Sequence, residues 1–584
     1  MNSSLLEADS LLAVDVGEIS TRAMLFDVVN GQYRFLAVGN AQTTAAAPNF
    51  DIGEGVRLAI DRLQEVTGRD LIGADDRIIM PGQADGSGVD TIAATVSTGP
   101  PIRVVAVGLL DDVSLESAQN LAATTYGRVV AKLSLNDGRK PETRVDTIIR
   151  ARPDVIIVAG GTDGGASQSV LSLVESVGQA CLVIPEGERP DVLFAGNQSL
   201  IENVRSSLDP MTSLTIAPNI RPTLDVEQLE PARLDMGKVF RSVRARQIPG
   251  IHELDVWASG RLGPTASAFG RVIHFLSKVY DPSKGVLGVD VGASATTVAA
   301  AFADNLLLGV FPQFGLGKNL PGLLKYRKLA SIKRWLCIDI SDDYIRDYIY
   351  NKSLYPASLP VTEDDLAIEQ ALVREVIRTA VAQIARQYPK GIGRTRTDLL
   401  PWFEPIVATG SALVNAPSMA QCLLLLLDAL QPTGVTTIVL DQNRLTAPLG
   451  AAADFNPVLV VQVLESSTFA SLGTVISPVA NVRPGVPVLR LRMTYDSGEE
   501  TDLEVKQGTM KRLPLPQGQS ARIRLQPLHR ADIGMGGLGR GGAVRVVGGA
   551  FGVVVDGRGR PLRLPEDLDR RQELMRKWLR ILGG

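Results

Sequence analysis

The 584-residue chain has three cysteines and three histidines, too few for the chemistry most often built from them. Cys181, Cys337 and Cys422 are far apart and odd in number, which excludes a disulfide framework and a CxxC metal site. A reducing, cytoplasmic setting is the resulting expectation. His252, His274 and His529 lie apart from one another and from every cysteine, so neither a zinc site nor a Ser-His-Asp triad has its material. Charge of one sign is also lacking. The 60 Lys+Arg and 63 Asp+Glu leave a net charge of -3, and no global basic field exists to hold nucleic acid or an anionic membrane. The most apolar run, Cys422–Leu427, falls far short of the roughly 20 residues that span a bilayer, and the opening MNSSLLEADS lacks a basic, apolar leader. Chemistry is left to carboxylates, hydroxyls and backbone amides.

What is present suggests three or four domains, at roughly 100 to 200 residues each. Short strands are predicted at Leu11–Val16, Arg22–Val28 and Tyr33–Val38, with Asn30-Gly31 as a hairpin signal, and a helix follows over about Gly53 to Val66. Apolar strands then alternate with helical patterns: Arg103–Val107, Arg128–Leu133, Asp154–Ala159, Cys181–Ile184, Val192–Ala195 and Ser213–Ala217. That alternation predicts a doubly wound α/β domain. A helix near Ala266 to Val279 leads to the strand Gly285–Val291, and the last strand of that part is Val435–Leu440. Beyond Pro457 short alternating strands and glycine-rich turns predict a separate, mostly β domain closed by an amphipathic helix. The expected segments are 1–75, a first lobe; 76–230, an inserted α/β domain; 231–283, a helical connector; 284–455, a second lobe; 456–564, the β-rich domain; and 565–584, the helix.

One element occurs twice. Leu12-Ala13-Val14-Asp15-Val16-Gly17, followed by Ser20-Thr21, matches Leu287-Gly288-Val289-Asp290-Val291-Gly292, followed by Ala295-Thr296, at a constant offset. Each is a buried strand that ends in an acid and a glycine and turns into another apolar strand. Such a hairpin brings backbone N–H groups close to a phosphate. The aspartate at the strand end would hold a hydrated Mg²⁺, which takes few carboxylates and keeps its waters. Two such hairpins across a cleft would clamp a nucleotide from both sides.

These paired hairpins resemble the two phosphate motifs of the actin, heat-shock chaperone and sugar kinase ATPase superfamily. Pro405-Ile406-Val407-Ala408-Thr409-Gly410-Ser411-Ala412 is similar to its adenosine motif. Within that superfamily the chain resembles the glutamate mutase accessory protein L family (MutL type, unrelated to the mismatch-repair protein of similar name). The markers are Val104 to Leu109, the run Ala159 to Gly165, Phe194 to Gln198 and Gly288 to Gly292. The resemblance covers about residues 10 to 455. It implies a two-lobed actin-like core, with ATP and Mg²⁺ bound by Asp15, Gly17, Ser20, Thr21, Asp290, Gly292, Thr296, Gly410 and Ser411. Asp15 and Asp290 would hold the metal through water. It also implies a protein partner, an adenosylcobalamin-dependent mutase, served by an ATP-dependent chaperone or reactivating factor. Two positions depart from the family pattern: Glu18 stands where a phosphate-facing serine is expected, and Thr297 where an aspartate is. A carboxylate beside a triphosphate is repelled unless a cation intervenes. Hydrolysis is therefore less secure than the fold, and no general base stands out. A non-hydrolysing actin-like scaffold that recruits partners stays open, as does, more remotely, a small-molecule kinase.

Three further places carry polar chemistry. Gly161, Thr162, Asp163 and Gly164 follow a predicted strand end, where parallel sheets bind ligands, although a tight strand-to-helix turn explains the glycines equally well. Gly315-Leu316-Gly317-Lys318 would bring a lysine towards the second hairpin or leave it in solvent. The last helix sets Leu568, Leu574, Met575, Trp578, Leu579 and Leu582 among arginines and lysines; docking a partner and packing on its own domain both fit.

Overall fold

The computed structural model describes residues 10–389 and 391–583. Residues 1–9, on which the absence of a leader was read, lie outside the described residues. The chain divides into two compact units. One runs up to Ala268 and includes Leu308–Pro312 and Ala447–Val460; the other is formed by Phe269–Leu307, Gln313–Thr446 and Val461–Gly584.

The strands are β1 (Ser10–Val16), β2 (Ser20–Val29), β3 (Gln32–Gln42), β4 (Thr91–Val96), β5 (Ile102–Val107), β6 (Gly127–Leu133), β7 (Val155–Val158), β8 (Asp191–Phe194), β9 (Leu214–Ile216) and β10 (Gly263–Pro264). They continue with β11 (Gly285–Val291), β12 (Thr296–Phe302), β13 (Asn305–Phe311), β14 (Phe403–Thr409), β15 (Gly434–Leu440) and β16 (Ala470–Ser477). The last six are β17 (Pro487–Tyr495), β18 (Glu500–Lys506), β19 (Thr509–Leu513), β20 (Ser520–Pro527), β21 (Gly542–Val547) and β22 (Val553–Gly557).

The first sheet has the order β10-β4-β1-β2-β3. β1 pairs antiparallel with β2 and parallel with β4. Asn30 and Gly31, at φ 53° and 77°, make the turn between β2 and β3 with the left-handed geometry that Asn-Gly favours. The helix Gly53–Thr67 lies on this sheet through Gly39, where a Cβ would come within 1.9 Å of the Ala59 carbonyl oxygen. The second sheet begins β13-β12-β11-β14-β15, again with β11 antiparallel to β12 and parallel to β14. The duplication seen in the sequence is thus a duplication of topology, and the two sheets are those of an actin-like core.

Within the first unit, five parallel strands in the order β6-β5-β7-β8-β9 form the inserted doubly wound sheet. Its core joins Val105, Val107, Ile156 and Val158 to Val170, Val174 and Val177 of the helix Gln168–Val183. One predicted strand is corrected. Cys181–Val183 is the end of that helix with Ile184 as its C-cap, and the apolar run mimicked a strand because Leu182 and Val183 are left exposed. The sheets also cut across the expected segments: β4 belongs to the first sheet although Thr91–Val96 was read as part of 76–230.

The C-terminal segment has its own sheet, ordered β18-β17-β20-β21, over a core that includes Leu489, Leu491, Met493, Val505, Ile523 and Leu525. It is not wholly separate. β16, β22 and β19 extend the second sheet beyond β15. Behind them lies a buried ion network: Arg558 reaches Asp428 at 2.7 Å and Asp556 at 2.9 Å, Arg560 reaches Asp556 at 2.8 Å, and Arg374 reaches Asp428 at 3.0 Å. The final helix, Leu568–Ile581, starts on the capping side chain of Asp567 and buries Trp578 against its own unit. The Arg558 guanidinium lies 4.7 Å from the Trp578 ring, and Arg571 donates to the Leu336 carbonyl at 2.8 Å.

Candidate functional site: the paired hairpins

Both hairpins are built alike. β1 and β11 share one burial pattern, in which every residue is buried except the aspartate, the sixth of the seven. The strand's period of two and its central place in the sheet leave Asp15 and Asp290 at the carboxyl end as the polar positions. Past each aspartate the chain turns through a glycine whose N–H donates across the turn at 3.0 Å, Gly17 to Ser20 and Gly292 to Ala295. A Cβ would sit 2.9 Å from Ser20 O at Gly17 and 3.1 Å from Ala295 O at Gly292. Glycine therefore keeps each turn tight. The parallel neighbours correspond as well: Asp15 is in register with Thr95, and Asp290 with Thr409.

In the first hairpin Asp15 is held by residues the sequence did not single out. Thr95 donates to Asp15 Oδ1 at 2.7 Å and Thr265 at 3.0 Å. This fixes the carboxylate and leaves Oδ2 as the side that water or a hydrated cation can approach. Ser20 is partly exposed at the turn, but Thr21 is fully buried, its hydroxyl 3.0 Å from that of Thr43, which donates to Gly17 O at 2.8 Å. In the second hairpin Thr296 is likewise fully buried and donates to Phe314 O at 2.8 Å. The two threonines brace the turns from within.

Gly410 follows β14 beside the second hairpin at φ 104°, where a Cβ would be 2.3 Å from Val291 O. Ser411 opens the short helix Ser411–Val414. Gly315 and Gly317 press on the same turn, 2.4 and 2.8 Å from Ala293 O by the same measure, and Leu316 N donates to Gly292 O at 3.0 Å. Lys318 is exposed.

Glu18 does not project freely from its turn. Its Oε2 accepts from Thr98 Oγ1 at 3.2 Å and from Gly99 N at 3.3 Å. Arg244 is packed behind Gly99, fully buried, donating to Pro100 O at 2.7 Å and Gln247 Oε1 at 2.6 Å. Burial pulls the guanidinium down to about 10, against the opposing pull of Tyr126, Asp154 and Glu18. It stays charged at neutral pH, so the carboxylate has a cation within electrostatic reach. Gly99, at φ 106°, leaves room for it: a Cβ there would be 2.7 Å from Arg244 Nη1.

Residues 11–468 match the family described as MutL protein. The chain belongs to the MutL family. It is similar to Protein MutL of Clostridium tetanomorphum, 23% identical over 444 residues that cover 71% of this chain and 88% of that protein. Among solved structures it is similar to nucleotide-free acetone carboxylase, at 11% identity and a TM-score of 0.31, covering 86% of this chain and 81% of that one. It is also similar to diol dehydratase-reactivating factor in nucleotide-free form, at 10% identity and a TM-score of 0.31, covering 77% and 100%. At these scores the structural likenesses add nothing to the strand order already described.

In this MutL-family chain the glycine-rich loop of the inserted sheet follows β7. Gly161 and Gly164 take φ of 75° and 73°. Asp163 Oδ1 accepts from Gln198 N at 3.2 Å and Asn219 Nδ2 at 2.8 Å, and Asn197 Oδ1 accepts from Gly164 N at 3.2 Å. Gly165 N closes on Thr162 O at 2.8 Å. Gly161, Thr162, Asp163 and Gly164 are thus brought together, with their polar groups largely taken up in tying the loop to its neighbours. Among the described residues no group of three or more His, Cys, Asp or Glu is arranged to hold a metal, and no helix is long and apolar enough to cross a membrane.

Proposed function

We propose that this MutL-family chain is a nucleotide-binding accessory protein that couples ATP and Mg²⁺ to a protein partner, as a chaperone or reactivating factor for an adenosylcobalamin-dependent mutase. The observation that carries the nucleotide reading is the duplicated hairpin: a partly exposed aspartate at a strand end and a glycine-tightened turn, twice over. One carboxylate with retained waters and substrate phosphates is the usual way Mg²⁺ is held, so Asp15 and Asp290 suit it without a cage of ligands. The mutase partner rests on the family resemblance.

The experiment is calorimetric titration of the full chain with ATP, with and without Mg²⁺, beside Asp15→Ala and Asp290→Ala. Binding that needs Mg²⁺ and weakens in both variants supports the reading; no binding up to about 1 mM would sink it. Partner identity is tested separately, by adding the chain with ATP to a cobalamin mutase inactivated in turnover and measuring recovered activity. A specific observation favours a second reading, a scaffold that binds nucleotide poorly and does not turn it over: the Glu18 carboxylate sits on the amide of Gly99 beside the first hairpin. Phosphate release during the same titration separates the two.

A further inference from the structure

On the solvent face of the sheet β18-β17-β20-β21, charge is divided across the strands. Arg490 pairs with Glu504 at 3.0 Å, and Arg492 with Asp502 at 2.8 and 3.0 Å, so the β17–β18 half is internally neutralised. The other half is not. Arg522 and Arg524 on β20 are exposed and have no hydrogen-bond or ion-pair partner among the described residues, and Arg545 on β21 donates only to the Ser520 hydroxyl, at 2.8 Å. The register sets these cations against one another: Arg522 is directly opposite Arg545, and Arg524 directly opposite Arg492. Like charges facing across an antiparallel pair destabilise the sheet. Arg492 already has Asp502, but the Arg522–Arg545 pair has no ion-pair partner among the described residues, a cost that an external anion would offset.

Among the described residues β21 is the edge strand of this sheet, with no strand paired on its outer side. Val547 is 54% exposed on it, and Val544 is partly exposed. At the foot of the arginines lies a depression of about 380 Å³ lined by Asp496, Ala521, Arg522, Ala543, Val544 and Arg545. Its one carboxylate, Asp496, accepts from Ser520 at 2.8 Å, the same hydroxyl that Arg545 reaches. We infer that this face and edge are a docking site for an extended acidic segment of a partner protein, which adds as a strand beside β21 and turns carboxylates at alternate positions onto Arg545, Arg522 and Arg524. An added strand presents every second side chain to this face, one strand spacing of about 4.8 Å from β21 and Arg545 and two from Arg522 and Arg524 on β20, a reach that long arginine and glutamate side chains share. A nucleic acid fits less well. Lying across the face, a polyanion would meet Glu500, Asp502 and Glu504 on β18, all exposed, whereas a strand at the opposite edge avoids them.

The test uses the full chain and labelled octapeptides of alternating Glu and Val or Lys and Val, with a short oligodeoxythymidine as the third probe, all read by fluorescence anisotropy. The Glu-Val peptide should bind, and weaken with salt. In an Arg522→Glu, Arg545→Glu double variant it should bind at least about tenfold more weakly while the Lys-Val peptide gains affinity. Arg524→Gln, a milder change, should show a smaller loss with unaltered thermal unfolding. N-methylation of alternate amides in the Glu-Val peptide should abolish binding. No Glu-Val binding up to about 1 mM, equal affinity in the wild type and the charge-reversed variant, indifference to N-methylation, or tighter binding of the oligonucleotide would each overturn the inference.

Discussion

The backbone amide of Gly99 donates to the carboxylate of Glu18 at 3.3 Å. An amide aimed at an anion beside a phosphate-type hairpin is the group a nucleotide would use, and here the chain's own side chain takes it. Thr98 supplies the second donor and Arg244 the nearby cation. Glu18→Ser removes the competing anion and frees both donors. ATP should then bind at least about tenfold tighter, equivalent to about 1.4 kcal/mol. Calorimetry on the two proteins decides it, and weaker binding in the variant would reject this account of Glu18.

Asp15 depends on two hydroxyls for its orientation. Thr95→Val with Thr265→Val keeps side-chain volume close to native and deletes both donors to Oδ1. Nucleotide binding without Mg²⁺ should be unchanged, whereas the increment brought by Mg²⁺ should shrink by about tenfold or more, since a mispositioned carboxylate is a poor metal partner. Titrations with and without the metal give that split directly; an equal effect on both would assign the threonines to general stability.

The ion network around Asp428 and Asp556 should dominate acid stability. Burial alone would raise the Asp556 carboxyl, but Arg558 and Arg560 beside it more than offset this and hold it well below the ordinary carboxylate range. A folded-state value below the unfolded one means that the stabilisation is fully present above about pH 3.9 and is lost as the pH falls towards the folded value. Asp556→Asn should flatten the acid limb of a stability-against-pH curve. Asp428→Ala, which leaves Arg374 without its carboxylate and takes one of the two that hold Arg558, should cost about 3–5 kcal/mol in denaturant unfolding at neutral pH.

The cysteines should be inert in the native protein. Burial pushes Cys181 up to about 11 and Cys422 up to about 12, and burial also raises Cys337. Since the thiolate is the reactive form, a colorimetric disulfide reagent at neutral pH should show no burst, and unfolding in guanidinium should release all three thiols.

The duplicated hairpins were legible because everything that makes them is local: an apolar strand, an acid, a glycine and a second strand within a dozen residues. The actin-like sheets followed from that repeat. What joins the sheets was not legible. β4 pairs with β1 across some eighty positions, and its Ala-rich sequence, Thr91-Ile92-Ala93-Ala94-Thr95-Val96, gives little local signal. Thr95 and Thr265 were therefore missed, although one hint existed, since the Ala94-Thr95 pair beside Asp15 echoes Ala408-Thr409 beside Asp290. The role of Glu18 was read from its charge, but its partners lie 80 residues on, at Thr98 and Gly99, and at Arg244. Leu182 and Val183 misled in the opposite direction, because an exposed apolar pair at a helix end has the local look of a strand.

The family match ends at residue 468, just before β16. β16, β22 and β19 cover the flank of β15, whose Val435, Ile438 and Leu440 are buried. A chain cut at the family boundary would bare that flank, and unpaired amides beside buried aliphatic side chains are a template for self-association. For this protein the C-terminal fifth is the selvedge of the weave: trimming to the shared portion would yield an aggregating product rather than a minimal one.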